Sequence, residues 1–103
     1  MGRSAAIFAA LGDATRLRLV TILCAGGMLS ITQLSTGMNI TRQAVTKHLH
    51  VLADAGIVRD HHIGRETKWE LIPEQLSEAR RALDFISQRW DEALDRLRLA
   101  VEE

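Results

Sequence analysis

The sequence is short of several things that would mark common function classes. It has one cysteine, one proline and no tyrosine in 103 residues, and its formal net charge is zero. A lone Cys24 can close no internal disulfide, so a reducing, cytoplasmic setting is the expectation. No apolar run approaches the roughly 18 residues a membrane span needs. The first residues, MGRSAAIFAALGDATR, lack the apolar core and small-residue cleavage site of a secretory signal. No internal repeat or low-complexity stretch occurs. There is also no nucleophile motif, no glycine-rich phosphate loop and no polar cluster of catalytic type, so an enzyme is not expected and no cofactor is implied.

What is present is unevenly placed. Through Ile72 there are eight Lys/Arg against five Asp/Glu, a balance of +3, and from Pro73 onward five against eight, a balance of −3. A basic front and an acidic tail point to two tasks within one domain spanning residues 1–103. Pro73 stands where the sign changes and marks a boundary between elements.

The apolar spacing predicts a mainly α chain with one small β-hairpin. Ser4–Leu11 reads as a short helix ended by Gly12. Asp13 is placed to cap a second helix over residues 14–25, with Leu17, Val20 and Leu23 inward, Cys24 a small core residue, and Gly26-Gly27 the stop. Ser30 opens a third helix through a capping box with Gln33 and a staple of Leu29 on Leu34. Residues 36–39 read as a tight turn in which Gly37 takes positive φ. Thr41 caps a fourth helix, stapled by Ile40 and Val45, that stops at Gly56. The period then falls to two. Strands over 57–62 and 66–72 flank the Ile63-Gly64-Arg65 turn, and a helix follows from Pro73 to about residue 102.

Two helices joined by a short glycine-containing turn, then a hairpin, make a winged helix-turn-helix: helix-turn-helix about 30–55, wing about 57–72, C-terminal helix about 73–102. The fourth helix carries the chemistry. At 100° per residue, Val45, Leu49 and Leu52 share a stripe, while Arg42, Gln43, Thr46, Lys47 and His50 share an arc of about 140°. That arc holds no acid until Asp54. An ordinary solvated face mixes both signs, so this one is suited to a polyanion with hydrogen-bonding edges, double-stranded DNA. In the major groove Arg42 would pair with guanine O6/N7 and Gln43 with adenine N6/N7, with Thr46 and Lys47 beside them. Thr41 and His50 are expected at phosphates, and Arg65 and Lys68 would bring the wing to a phosphate or the minor groove. His48 lies at the edge of the apolar stripe and reads as a packing residue. His61 and His62 point to opposite faces of a strand and Trp69 reads as wing-root core.

Two segments carry a family resemblance. Leu11-Gly-Asp-Ala-Thr-Arg-Leu-Arg-Leu-Val-Thr-Ile-Leu23 resembles the N-terminal signature of the ArsR/SmtB-type repressors. Ile40-Thr-Arg-Gln-Ala-Val-Thr-Lys-His-Leu-His-Val-Leu-Ala-Asp-Ala-Gly-Ile-Val58 is similar to their recognition helix and its exit into the wing. The resemblance implies repression by occupying an operator that overlaps a promoter, relieved by a signal such as a small-molecule inducer. It also directs attention to metal ligands. The family's paired cysteines have no match in Leu29-Ser30-Ile31-Thr32-Gln33, and the last helix has no histidine, so no metal is expected.

That last helix repeats by sevens. Leu76, Leu83, Trp90 and Leu97 form one row, and Ala79, Ile86, Ala93 and Ala100 the interleaved one. About 28 residues would run about 42 Å, more than a small domain needs for its own core. A second copy is the simplest cover, so Leu76, Ala79, Leu83, Ile86, Trp90, Ala93 and Leu97 are the expected homodimer interface. Two copies would read a near-palindromic operator. The alternative is a protein–protein interaction module that docks a different chain through this helix.

Overall fold

The computed structural model describes residues 2–102. In chain order the elements are α1 (Gly2–Leu11), α2 (Ala14–Gly26), β1 (Leu29–Ser30), α3 (Ile31–Met38), α4 (Arg42–Asp54), β2 (Val58–Ile63), β3 (Glu66–Leu71) and α5 (Pro73–Glu102). The three strands form one antiparallel sheet in the order β1-β3-β2.

The caps act where their side chains place them. Asp13 Oδ2 accepts from the Arg16 amide at 3.0 Å and starts α2. The Arg16 Nε donates to the Ala10 carbonyl at 2.6 Å and ties α2 back to α1. Gly27 ends α2 with φ 76°, a conformation that L side chains rarely adopt. The capping box of α3 is complete: the Gln33 amide donates to Ser30 Oγ at 3.2 Å and the Ser30 amide to Gln33 Oε1 at 2.9 Å. Thr41 Oγ1 accepts from the Ala44 amide at 3.1 Å and starts α4.

One core forms where the amphipathic faces meet. Leu19 and Leu23 of α2, Leu34 of α3, Val45, Leu49 and Leu52 of α4, and Ile57 and Val58 leading into the sheet are all buried, with Trp69 closing the wing root. Burying each such aliphatic side chain contributes about 1.5–3 kcal/mol before the entropy of ordering it is subtracted. The stripe expected on α4 is thus the one that packs. The Ile72 amide donates to the Ile57 carbonyl at 2.8 Å and extends the ladder to the edge of α5.

Four expectations are corrected. Leu17 is half exposed and Leu19 takes its place inward, because α2 is apolar on most of its circumference and its spacing fits more than one stripe. Cys24 is exposed on that helix and is not a core residue. Gly37 stays helical, and the left-handed residue that turns the chain is Asn39 at φ 56°. Asparagine tolerates this region better than most side chains. Leu29–Ser30 is more than a lead-in to α3: it pairs with Trp69 and Lys68 of β3 and joins the wing to the helix-turn-helix.

α5 begins against the body, with Ala79 and Ala82 buried and Leu76 half-buried, packed on α1. It then leaves. The molecule measures 67 × 25 × 20 Å, and α5, 30 residues or about 45 Å long, accounts for part of its elongation.

Candidate DNA-binding surface

α4 holds its polar arc in the open because the opposite stripe is locked in the core. Arg42, Gln43, Lys47 and His50 are exposed, and Thr46 is half-buried. The Thr46 hydroxyl donates to the Arg42 carbonyl at 2.8 Å, which leaves its oxygen lone pairs and its methyl group free. Thr41 uses an oxygen lone pair in capping α4, so its hydroxyl proton remains available for an anion.

The first turn of α3, the start of α4 and the wing enclose an open groove of about 550 Å³. Ser30, Ile31, Thr32 and Gln33 line one side, and Arg42 and Arg65–Lys68 complete it. Three cationic side chains from two separate elements therefore share one cleft, with Glu66 as its carboxylate. Arg42, Arg65 and Lys68 are brought together; Gln43, Thr46, Lys47 and His50 lie further along α4 and do not line it. The contribution of α3 was missed from sequence. Its signal is an exposed polar first turn on the helix preceding a recognition helix, but Ser30 and Gln33 already have a complete structural explanation in the capping box.

The histidines have separate settings. His50 is exposed, with its ring centroid 6.4 Å from that of Trp69, so it sits over the wing root at the far end of the arc. His48 Nδ1 lies 3.9 Å from Asp13 Oδ2, linking α4 to the start of α2, which fits a packing role. The Asp13 carboxyl is held below its usual range, first by the Arg16 amide it caps. On the wing, His61 Nε2 lies 2.6 Å from Glu70 Oε1, and the Arg59 Nε donates to the same oxygen at 2.9 Å. Both lower the Glu70 carboxyl, the Arg59 hydrogen bond most. His62 instead approaches Asp60, at 3.6 Å, and Thr67, at 3.1 Å, on the other face. Among the described residues no three His, Cys, Asp or Glu side chains converge as a metal site. No described helix is long and apolar enough to cross a membrane.

A helix-turn-helix domain family matches residues 11–61, which hold α2 through most of β2. The chain is 40% identical to the HTH-type transcriptional regulator YuzN of Bacillus subtilis over 62% of this chain and 76% of that protein. An ArsR-like transcriptional regulator from Rhodococcus sp. RHA1 superposes with a TM-score of 0.76 at 34% identity, covering 93% of this chain and 90% of that one. A homodimeric winged helix-turn-helix DNA-binding domain from Mycobacterium bovis shares the fold, with a TM-score of 0.65 at 19% identity over 88% of this chain and 81% of its own. A capped helix with a cationic outer face, a wing across a shared groove, and relatives of this kind lead to one assignment: the chain belongs to the ArsR family of winged helix-turn-helix transcriptional regulators, DNA-binding proteins rather than enzymes.

Proposed function

We propose that the protein is a metal-independent repressor that binds a near-palindromic operator as a homodimer, with one α4 in each of two successive major grooves. The observation that carries this reading is the cleft shared by Arg42, Arg65 and Lys68. A recognition helix and a wing that present cations to one gap can straddle a sugar-phosphate strand, with α4 in the major groove on one side. Gln43, Thr46 and Lys47 then meet base edges, and Arg42 meets a guanine at the groove's rim. Thr41, His50, Arg65 and Lys68 meet the backbone. Repression follows from occupancy: a bound dimer covers the promoter. A small-molecule inducer would act by favouring a free form over the bound one.

The dimer rests on α5. Of the twelve large apolar side chains exposed among the described residues, eight lie on it, from Leu83 to Val101. The homodimeric state of the Mycobacterium bovis domain agrees with this reading. The same face also suits the second reading, in which α5 docks a different chain.

Selecting bound sequences from a random duplex pool tests the proposal. The expected result is a two-fold symmetric consensus whose affinity falls steeply with salt. Absence of duplex binding at low salt, with a stable complex with another protein instead, would replace the repressor by the docking module.

A further inference from the structure

We infer that a DNA phosphate fixes His50 as a bridge to the wing: one ring nitrogen donates to a phosphate oxygen and the other accepts the Trp69 Nε1 hydrogen. This rests on the proposed binding of duplex DNA by α4 and deepens it. His50 becomes a positioning residue for the wing as well as a backbone contact.

The starting observation is a donor without a partner. Trp69 is 6% exposed, and its Nε1 is a buried side-chain atom with no hydrogen-bond partner among the described residues. An indole N–H can only donate, and a buried donor left unpaired forfeits the bond it makes to water in the unfolded chain. Most buried polar groups are paired, so an exception of this kind needs a cause.

The surroundings narrow the choice of acceptor. Within the sheet Trp69 stands between Leu29 of β1 and Asp60 of β2. Leu29 has no polar side-chain atom, and the Asp60 carboxylate is turned toward His62 Nε2, at 3.6 Å. On the α4 side the His50 ring lies 6.4 Å from the indole, centroid to centroid, at a tilt of 54°. That is contact distance for two rings. Rotation about χ2, which is broad for histidine, re-aims the ring nitrogens without moving the helix. A neutral imidazole carries one N–H and one bare nitrogen, so it fits between a donor and an acceptor.

The other end of the bridge is open to DNA. His50 is exposed and shares the α4 arc with Arg42, Gln43, Thr46 and Lys47. A phosphate that accepts from one ring nitrogen selects the tautomer whose other nitrogen can accept from the indole. The consequence reaches the wing. Trp69 lies on β3, the central strand, next to Lys68 of the cationic cleft, and Arg65 stands just before that strand. The free protein carries the cost of the unpaired donor and the complex removes it, so α4 and the wing are tied most firmly when DNA is present.

The test follows the indole protons of the ¹⁵N-labelled full chain by NMR, free and bound to the duplex selected from the random pool. The two tryptophans give two signals, and Trp90→Phe in the free protein identifies that of Trp69. On binding, the Trp69 indole proton is expected to move downfield and to exchange more slowly with solvent. His50→Ala, at an exposed position, is expected to abolish both changes and to weaken binding about tenfold on every duplex sequence. His50→Gln keeps a donor and an acceptor on one side chain and is expected to restore most of both. A native complex with an unmoved Trp69 signal would overturn the bridge and leave DNA binding standing. A shift that survives in the His50→Ala complex would also overturn it and move the acceptor to another group, Asp60 first. A signal already downfield without DNA would show that no phosphate is needed to close the bond. Failure of the native protein to bind any duplex would remove the reading on which the bridge rests.

Discussion

At the residue scale helical geometry alone fixes the polar arc of α4. Once Val45, Leu49 and Leu52 are buried, the positions of Arg42, Gln43, Lys47 and His50 follow from 100° per residue. The shared cleft was not legible, since Arg42 and Arg65 are 23 positions apart and meet only through the fold. Arg42→Ala is expected to weaken operator binding by about 1–3 kcal/mol and to relax preference at one base pair. Lys68→Ala is expected to weaken all duplexes alike and to lower the steepness of the salt dependence by about one phosphate contact. Binding titrations on the selected site and on single-base variants separate the two outcomes. If Arg42→Ala lost affinity uniformly, that side chain would be a phosphate contact and the base assignment would fail. Glu70 carries a different prediction. Its carboxyl is lowered by Arg59 and then His61, so the ionised form is favoured in the folded state. The resulting stabilisation is present above the carboxyl's unfolded pKa and is lost as pH falls through the folded one. Glu70→Gln is expected to flatten the loss of stability on the acid side, read as denaturant midpoints across the carboxylate range. An unchanged acid profile would show that the Arg59–Glu70–His61 cluster is solvated and without influence on stability.

At the element scale, what the sequence revealed was whatever is decided within a few residues. Asp13, Ser30 and Thr41 cap their helices, Gly26-Gly27 stops α2, and the hairpin turns at Gly64-Arg65, with Ile63 added to β2. These are local choices of side chain and backbone, so local reading recovers them. β1 escaped because a two-residue strand has no period, and its hydrogen-bonding partners, Trp69 and Lys68, lie about forty positions away. Leu17 was misplaced because a helix apolar on most sides offers several equivalent stripes, and only packing selects among them. Asn39 took the turn expected of Gly37 because α3 runs one residue past that glycine before it ends. The α4 cap can be tested directly. Thr41→Ala removes the acceptor for the Ala44 amide and is expected to cost about 1 kcal/mol of stability by chemical denaturation, with Thr41→Ser restoring most of it. Equal losses for the two variants would mean that the methyl group, rather than the hydroxyl, holds the start of α4. On the wing, Gly64 has φ 64° and open space where a Cβ would stand, so Gly64→Val meets backbone strain without a clash. It is expected to cost about 1–2 kcal/mol.

At the scale of the whole molecule the zero net charge resolves into a division of labour. The body carries the basic excess and the cationic cleft, and α5 carries the acidic excess and the exposed apolar seam. A single α4 offers a few base contacts, which is too little for an operator among a genome of competing sites. Two copies on one frame make the second engagement intramolecular, worth about 10²–10⁴ in affinity when the spacing is right. The seam should therefore control DNA binding from a distance. Ile86→Glu together with Leu97→Glu places carboxylates on residues that are 46% and 62% exposed in the single chain, so the body has no reason to unfold. A second copy on this seam brings the introduced carboxylates together at the interface, where like charges repel. The expected outcome is a monomer by sedimentation with helical circular dichroism retained. Affinity for the full operator should fall by about 10²–10⁴ while affinity for an isolated half-site stays near that of the native protein. Loss of half-site binding as well would show that α5 supports the fold of the body. Full affinity from a proven monomer would mean that one copy reads the operator alone, and the palindrome would have no physical basis.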